Sequence, residues 1–308
     1  MNKSIQNNQH YFKISQENIE PSLDNFYIFD KKSPNLEKYI KNTKEIKEIL
    51  TTIKTLQKKK ENPKTINRYF EELQKSLSKF SNCSEFICFV NACDNTLDAV
   101  KKDLDLIKKI TQKYFSKRLL SELVPEEWIQ AILDSNSSRK KGKCGELKLI
   151  SILKNLGVKE VKNWEDFNKS NKCVAQFSKV FSVKKVQESL NVKIKAKKQG
   201  KKLDLVAKYK NRIFLIEAKH LNTSGGGQDK QISELIEILN LKEKTPNISY
   251  ISFLDGSYSN IVLLNTKAGE KLKTQRKEIK KYLKKNPNNY WLNTAGFKAL
   301  FTDLIKYQ

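Results

Sequence analysis

Apolar residues recur at three- and four-residue steps through the first third of the chain. Leu36 and Ile40 open the pattern, and Ile46, Ile49, Ile53 and Leu56 continue it, the spacing of one buried helix face. Residues 58–63 interrupt it. Ile66, Tyr69, Phe70, Leu73, Leu77 and Phe80 resume it, and Leu97, Val100, Leu104, Ile107 and Ile110 carry it further. Pro125 opens another helix, with Trp128, Ile129 and Ile132 as its buried face. Residues 1–34 are polar and read as irregular, and residues 134–143 as a polar, basic loop. Residues 146–156 then read as an amphipathic helix closed by Gly157. Beyond it, the short runs 191–197, 203–209, 213–221, 249–255 and 260–265 read as strands, with helices at 229–243 and 270–285. The succession predicts an α/β fold, a mixed sheet flanked by helices, preceded by an α-helical N-terminal region. The expected division is 1–124 for that region and 125–308 for the α/β domain.

Charge adds a class of partner. Sixty Lys+Arg against 34 Asp+Glu leave a formal net charge of +26. Such an excess draws polyanions at long range, and nucleic acid is the commonest. Only five of the basic residues are arginine (Arg68, Arg118, Arg139, Arg212, Arg276). The abundance of Lys, Asn and Ile also suits an AT-rich coding sequence, so part of the lysine load is expected to cover solvated helix faces. No apolar run approaches the roughly 20 residues that span a bilayer, and the first residues lack a signal-peptide core. No membrane association and a cytoplasmic location are expected. Five cysteines, Cys83, Cys88, Cys93, Cys144 and Cys173, include no CxxC pair, so reduced thiols are expected rather than zinc ligands or disulfides.

The candidate chemistry lies in residues 203–220, LDLVAKYKNRIFLIEAKH. With Lys210 and Asn211 as the turn of a hairpin, Tyr209 faces Arg212, Val206 faces Leu215 and Asp204 faces Glu217. Side chains alternate along a strand, so Lys219 shares a face with Glu217. Two carboxylates close together are hard oxygen ligands for Mg²⁺, and the backbone carbonyl of Ala218 would complete the set. A lysine beside them can act on the attacking water and offset phosphate charge. The competing reading is a charge cluster on a solvated sheet edge. His220 points away and is expected to be structural, and the Asp-Gly turn accounts for Asp255.

Asp204, followed by Glu217-Ala218-Lys219 at the end of an apolar strand, resembles the signature of the PD-(D/E)xK nuclease superfamily, and the type II restriction endonucleases in particular. Leu203 stands where the signature has proline. The resemblance spans about residues 135–305. It implies that Asp204 and Glu217 bind Mg²⁺, that Lys219 acts on the water, and that Glu146 supplies a further acid, with Glu165 and Asp166 as rivals. DNA contacts are expected from Arg139, Lys140, Lys141 and Lys143, resembling the basic loops of such enzymes, unless these are only a solvated run. Asn222, Thr223, Ser224, Gly226, Gln228 and Lys230 are the second expected group, suited to phosphates or base edges unless they form a plain flexible link.

The implied activity is sequence-specific, Mg²⁺-dependent cleavage of double-stranded DNA in a type II restriction-modification system. A homodimer on the duplex and a cognate DNA methyltransferase as functional partner go with it. Two alternatives stay open: a repair, recombination or mobile-element nuclease with the same core, and a non-catalytic DNA-binding protein.

Overall fold

Residues 5–28, expected to be irregular, carry a helix, α1 (Asn8–Glu17), in the computed structural model. The structure describes residues 5–28, 32–121, 123–135, 138–194, 203–264 and 267–306, and of 138–142 the helical backbone alone. Asn7 caps α1 by accepting from the His10 N–H. The helix has almost no apolar stripe because it is buried largely through polar groups. Asn8 Nδ2 donates to the carbonyls of Leu283, Asn286 and Asn289 at 2.9, 3.1 and 2.8 Å. Hydrophobic periodicity cannot register such a contact.

The chain divides into two units, residues 29–138 and residues 1–28 with 139–308. The division falls elsewhere than the expected 124/125: residues 5–28 belong to the unit that holds the sheet, and residues 125–135 to the helical one. The helical unit contains α2 (Leu36–Lys58), α3 (Pro63–Ser76), α4 (Glu85–Ala92), α5 (Leu97–Lys102), α6 (Leu104–Lys117) and α7 (Glu126–Ser135). Asn62, Ser84, Thr96 and Asp103 each accept a first-turn N–H and so fix where α3 to α6 begin. The predicted stripes meet in one core through Ile46, Ile53, Leu73, Val100 and Ile107, which Leu50 of α2 and Ile87 of α4 complete. Ile129 of α7 packs with Leu36 and Cys83. All five cysteines are free thiols.

The second unit runs α8 (Ser138–Asn155), β1 (Lys159–Glu160), α9 (Trp164–Lys169), β2 (Lys172–Gln176), α10 (Val183–Leu190), β3 (Leu205–Tyr209) and β4 (Arg212–His220). It continues with α11 (Gly226–Leu239), β5 (Ile248–Asp255), α12 (Ser257–Leu263), α13 (Glu270–Lys285), β6 (Tyr290–Leu292) and α14 (Thr294–Lys306). The six strands form one mixed sheet in chain order, antiparallel across β2–β3–β4 and parallel elsewhere. Both faces are covered, which is why β3, β4 and β5 read as unbroken apolar runs. Leu205, Phe214, Ile216 and Phe253 pack under Leu149 and Leu153 of α8 and Phe297 and Phe301 of α14. On the opposite face Val206 and Leu215 pack with Phe167 of α9 and Val186 of α10. Leu254 and Trp291 pack there too, against α11, α12 and α13. Among the described residues, no helix is long and apolar enough to cross a membrane.

Three expected elements change. The helix expected at 146–156 begins at Ser138, so the basic segment is helical and not a loop. Residues 260–265, expected as a strand, belong largely to α12, where Tyr258, Ser259, Val262 and Leu263 are buried at helical spacing. A short apolar run does not separate strand from buried helix. Of 191–197, Asn191 is the left-handed cap of α10, residues 192–194 form no strand, and 195–197 lie outside the described residues.

Candidate active site

Lys210, with φ 52°, makes the tight turn with Asn211. The resulting register pairs Tyr209 with Arg212, Val206 with Leu215 and Leu205 with Ile216. The ladder stops there, and Asp204 occupies a bend one residue beyond it. Its N–H donates to the Ile216 carbonyl (2.9 Å) and its own carbonyl accepts from Phe177 (3.0 Å). Its carboxylate accepts from the Ala218 N–H at 2.7 Å. Asp204 is therefore tied to the backbone between Glu217 and Lys219, where plain strand geometry expected it squarely opposite Glu217.

Glu217 and Lys219 share the face covered by α11. Lys219 Nζ lies 2.5 Å from Glu217 Oε1. Burial works to lower the Lys219 pKa, but the Glu217 charge and hydrogen bond, with Asp204 and Glu234, outweigh it and hold the ammonium above its ordinary value. Burial raises the Asp204 carboxyl, opposed by the Ala218 N–H and by Lys219. Glu146, on α8, feels the same groups. Its carboxyl is pushed up to about 7, first by burial and then by the Asp204 charge, with Lys143 and Lys219 working against the rise. Asp204, Glu217, Lys219 and Glu146 thus form one electrostatic cluster at the start of β3 and the end of β4. The rivals Glu165 and Asp166 stand apart from it on α9, where Glu165 pairs with Lys169 and Asp166 with Asn163. The donor set is oxygen, the kind Mg²⁺ takes, but Asp204, Glu217 and Glu146 do not form a group whose carboxylate oxygens all lie within 4.8 Å of one another.

A second charged cluster was not legible as such in the sequence. Among the described residues, Glu20, Asp24 and Asp255 form a group of three carboxylates whose oxygens lie within 4.8 Å of one another, close enough to hold a metal ion. The buried ammonium of Lys148 already stands among them, 2.6 Å from Asp24, 2.7 Å from Asp255 and 3.6 Å from Glu20. That cation fills the role a metal would have, so the group ties the fold together. Asp255, 0% exposed, also accepts from the Tyr27 hydroxyl (2.9 Å) and lies 3.0 Å from His220 Nδ1. The Tyr27 ring stacks on His220 at 3.5 Å. Asp255 is therefore more than the turn residue it was read as. Lys148 follows Glu146 by two positions and His220 follows Lys219 by one, so the network anchors both catalytic candidates' elements. The available signal was an acid closing a wholly apolar strand and a lysine inside the apolar run of α8.

The expected DNA contacts fare unevenly. Lys143 is exposed on α8; the side chains of Arg139, Lys140 and Lys141 lie outside the described residues. Thr223 and Ser224 are exposed in the link after β4. Asn222 is exposed as well and is hydrogen-bonded within the fold. Its Oδ1 accepts from the Ser257 N–H (3.0 Å) and its Nδ2 lies 3.2 Å from His220 Nε2. Gly226, Gln228 and Lys230 sit in the first turns of α11, and no atom lies within 4 Å of where a Cβ at Gly226 or Gly227 would stand. The chain matches no protein-family model, no curated protein and no solved structure.

Proposed function

We propose that this protein is a Mg²⁺-dependent endonuclease that cuts double-stranded DNA with a PD-(D/E)xK core. One observation carries the reading: the Asp204 carboxylate is bonded to the N–H between Glu217 and Lys219, while Glu146 shares the field of Asp204 and Lys219. Bound by Asp204, Glu217 and the Ala218 carbonyl, Mg²⁺ would supply Lewis-acid stabilisation of the phosphate and an activated water. Lys219, held in its charged form, orients and neutralises the scissile phosphate and does not serve as the base. Glu146, with a pKa of about 7, is matched to accept a proton near neutral pH. The net charge of +26 supports a polyanionic substrate. Each chain carries one such cluster, so cleavage of both strands at a palindromic site calls for two copies related by a two-fold axis. The restriction-type reading, with its cognate methyltransferase, follows from that arrangement and the resemblance.

Plasmid DNA incubated with the protein, with and without Mg²⁺, tests this. Discrete fragments that vanish with EDTA and in an Asp204→Asn variant are expected. Cutting that survives EDTA, or wild-type turnover in Asp204→Asn, refutes the site.

A further inference from the structure

Helix α13 carries eight basic residues in sixteen, against two acids, Glu270 and Glu278. Ile279 and Leu283 anchor it to the sheet unit. At 3.6 residues per turn, Lys273, Lys277, Lys280, Lys281 and Lys284 fall within about 80–100° of one another, on the side opposite those anchors. All five are exposed. Lys273 is paired with Glu270 (2.6 Å), whereas Lys277, Lys280, Lys281 and Lys284 make no ion pair among the described residues. Helix α11 beside it is not built this way: it mixes the exposed Lys230 and Glu237 with the half-buried acids Asp229 and Glu234.

The stripe also has a defined relation to the cluster on β3 and β4. Lys271, in the first turn of α13, is bonded to Asp229 in the first turn of α11 (2.7 Å). That turn follows the end of β4 by a short link, and Glu234 of the same helix acts on Lys219. From that end α13 runs back along the sheet to the start of β6, on the sheet face that Glu217 and Lys219 share.

We propose that the lysine stripe of α13 is a docking surface for the phosphate backbone of duplex DNA. It rests on the nuclease reading only for the choice of duplex, and it adds a surface absent from the expected contacts at 139–143 and 222–230. The eleven residue steps from Lys273 to Lys284 rise about 16 Å, a length of B-DNA axis that carries on the order of nine or ten phosphate charges. Lysines four and seven residues apart lie roughly 6 and 10 Å apart along the axis, a spacing suited to meeting separate phosphates in turn. Lysine is a point charge without fork geometry, so the surface positions the duplex and leaves base reading to other groups.

Anisotropy of a fluorescently labelled duplex, titrated with the full-length protein over a range of salt in EDTA, tests the surface apart from cleavage. The stripe variant is Lys277→Gln, Lys280→Gln, Lys281→Gln and Lys284→Gln together. Its control removes the same charge from exposed lysines elsewhere on the unit: Lys162→Gln, Lys179→Gln, Lys184→Gln and Lys185→Gln. At about 0.9 per phosphate contact, the stripe variant should flatten the slope of log affinity against log salt by roughly 3 to 4, and the control by less than about 1. Equal losses in both variants would reduce the stripe to part of a general positive field and overturn the proposal. So would an unchanged slope in the stripe variant, or a loss for heparin or anionic vesicles as large as that for duplex. Asp204→Asn should keep the full slope. A protein that never cuts but loses its slope in the stripe variant alone would refute the nuclease reading and leave this surface standing.

Discussion

Replacing Lys148 with methionine keeps the side chain's length and removes the one ammonium held by Glu20, Asp24 and Asp255. Three carboxylates, two of them almost wholly buried, are then left facing each other. Removing one partner from a buried ionic group costs about 3–5 kcal/mol, mostly the penalty of the charges left behind. With a urea dependence of about 2 kcal/mol/M, the unfolding midpoint of the sheet unit should fall by roughly 2 M. Trp128 lies in the helical unit, so in a Trp128→Phe background fluorescence comes from Trp164 and Trp291 and follows the sheet unit alone. The pH dependence carries a sign. Burial works to raise the Asp24 carboxyl, yet the Lys148 hydrogen bond, the Phe26 N–H and the Lys148 charge bring it below its ordinary value. Its contribution is therefore full at neutral pH and is lost as pH falls through that lowered folded pKa. In Lys148→Met the Asp24 carboxyl loses its hydrogen bond and counter-charge, its folded pKa rises, and stability returns as it takes up a proton. The gap between the two proteins should be widest near pH 7 and narrow toward about pH 4. An unchanged midpoint at neutral pH, or a gap indifferent to pH, would show that the ammonium does not hold this cluster together.

Glu146→Gln should stabilise the protein at about pH 8 and hardly at about pH 5. The raised carboxyl binds a proton more tightly folded than unfolded, so its ionisation costs stability as pH rises from its ordinary value to about 7. The gain is at most about 3 kcal/mol, and less because the carboxyl is partly in water; denaturation at the two pH values measures it. Lys219→Ala should lose cleavage by orders of magnitude. His220→Ala should keep much of the activity but lose about 1–3 kcal/mol of stability as Asp255 loses a partner; the reverse pattern would place chemistry on the His220 face. Gly256→Ala should cost about 2 kcal/mol or more in thermal or urea unfolding. Its φ is 84° and a Cβ would stand 2.4 Å from the Leu221 carbonyl oxygen.

What the sequence determined by itself is what neighbours in the chain decide. The stripes of α2, α3, α5 and α6 follow from residues three and four apart, and the β3–β4 register from a turn at Lys210 and Asn211. Glu217 and Lys219 share a face because strand side chains alternate. α13 begins and ends where its pattern does, at Glu270 and Lys285. Contacts between distant parts of the chain decided the rest. The N-terminal segment became a helix of the sheet unit because Asn8 finds carbonyls at Leu283, Asn286 and Asn289, more than 270 positions away. Residues 257–263 became helical because Tyr258, Val262 and Leu263 are buried against partners outside the segment, not because of a local preference. Asp204 turned toward the Ala218 N–H as its strand ended, an event at the rim of the sheet. Lys148 and Asp255 look like a surface lysine and a turn acid until the fold places them 2.7 Å apart. A charge becomes a structural tie only when burial removes the water that would otherwise satisfy it, and which charges lose their water is settled by tertiary packing.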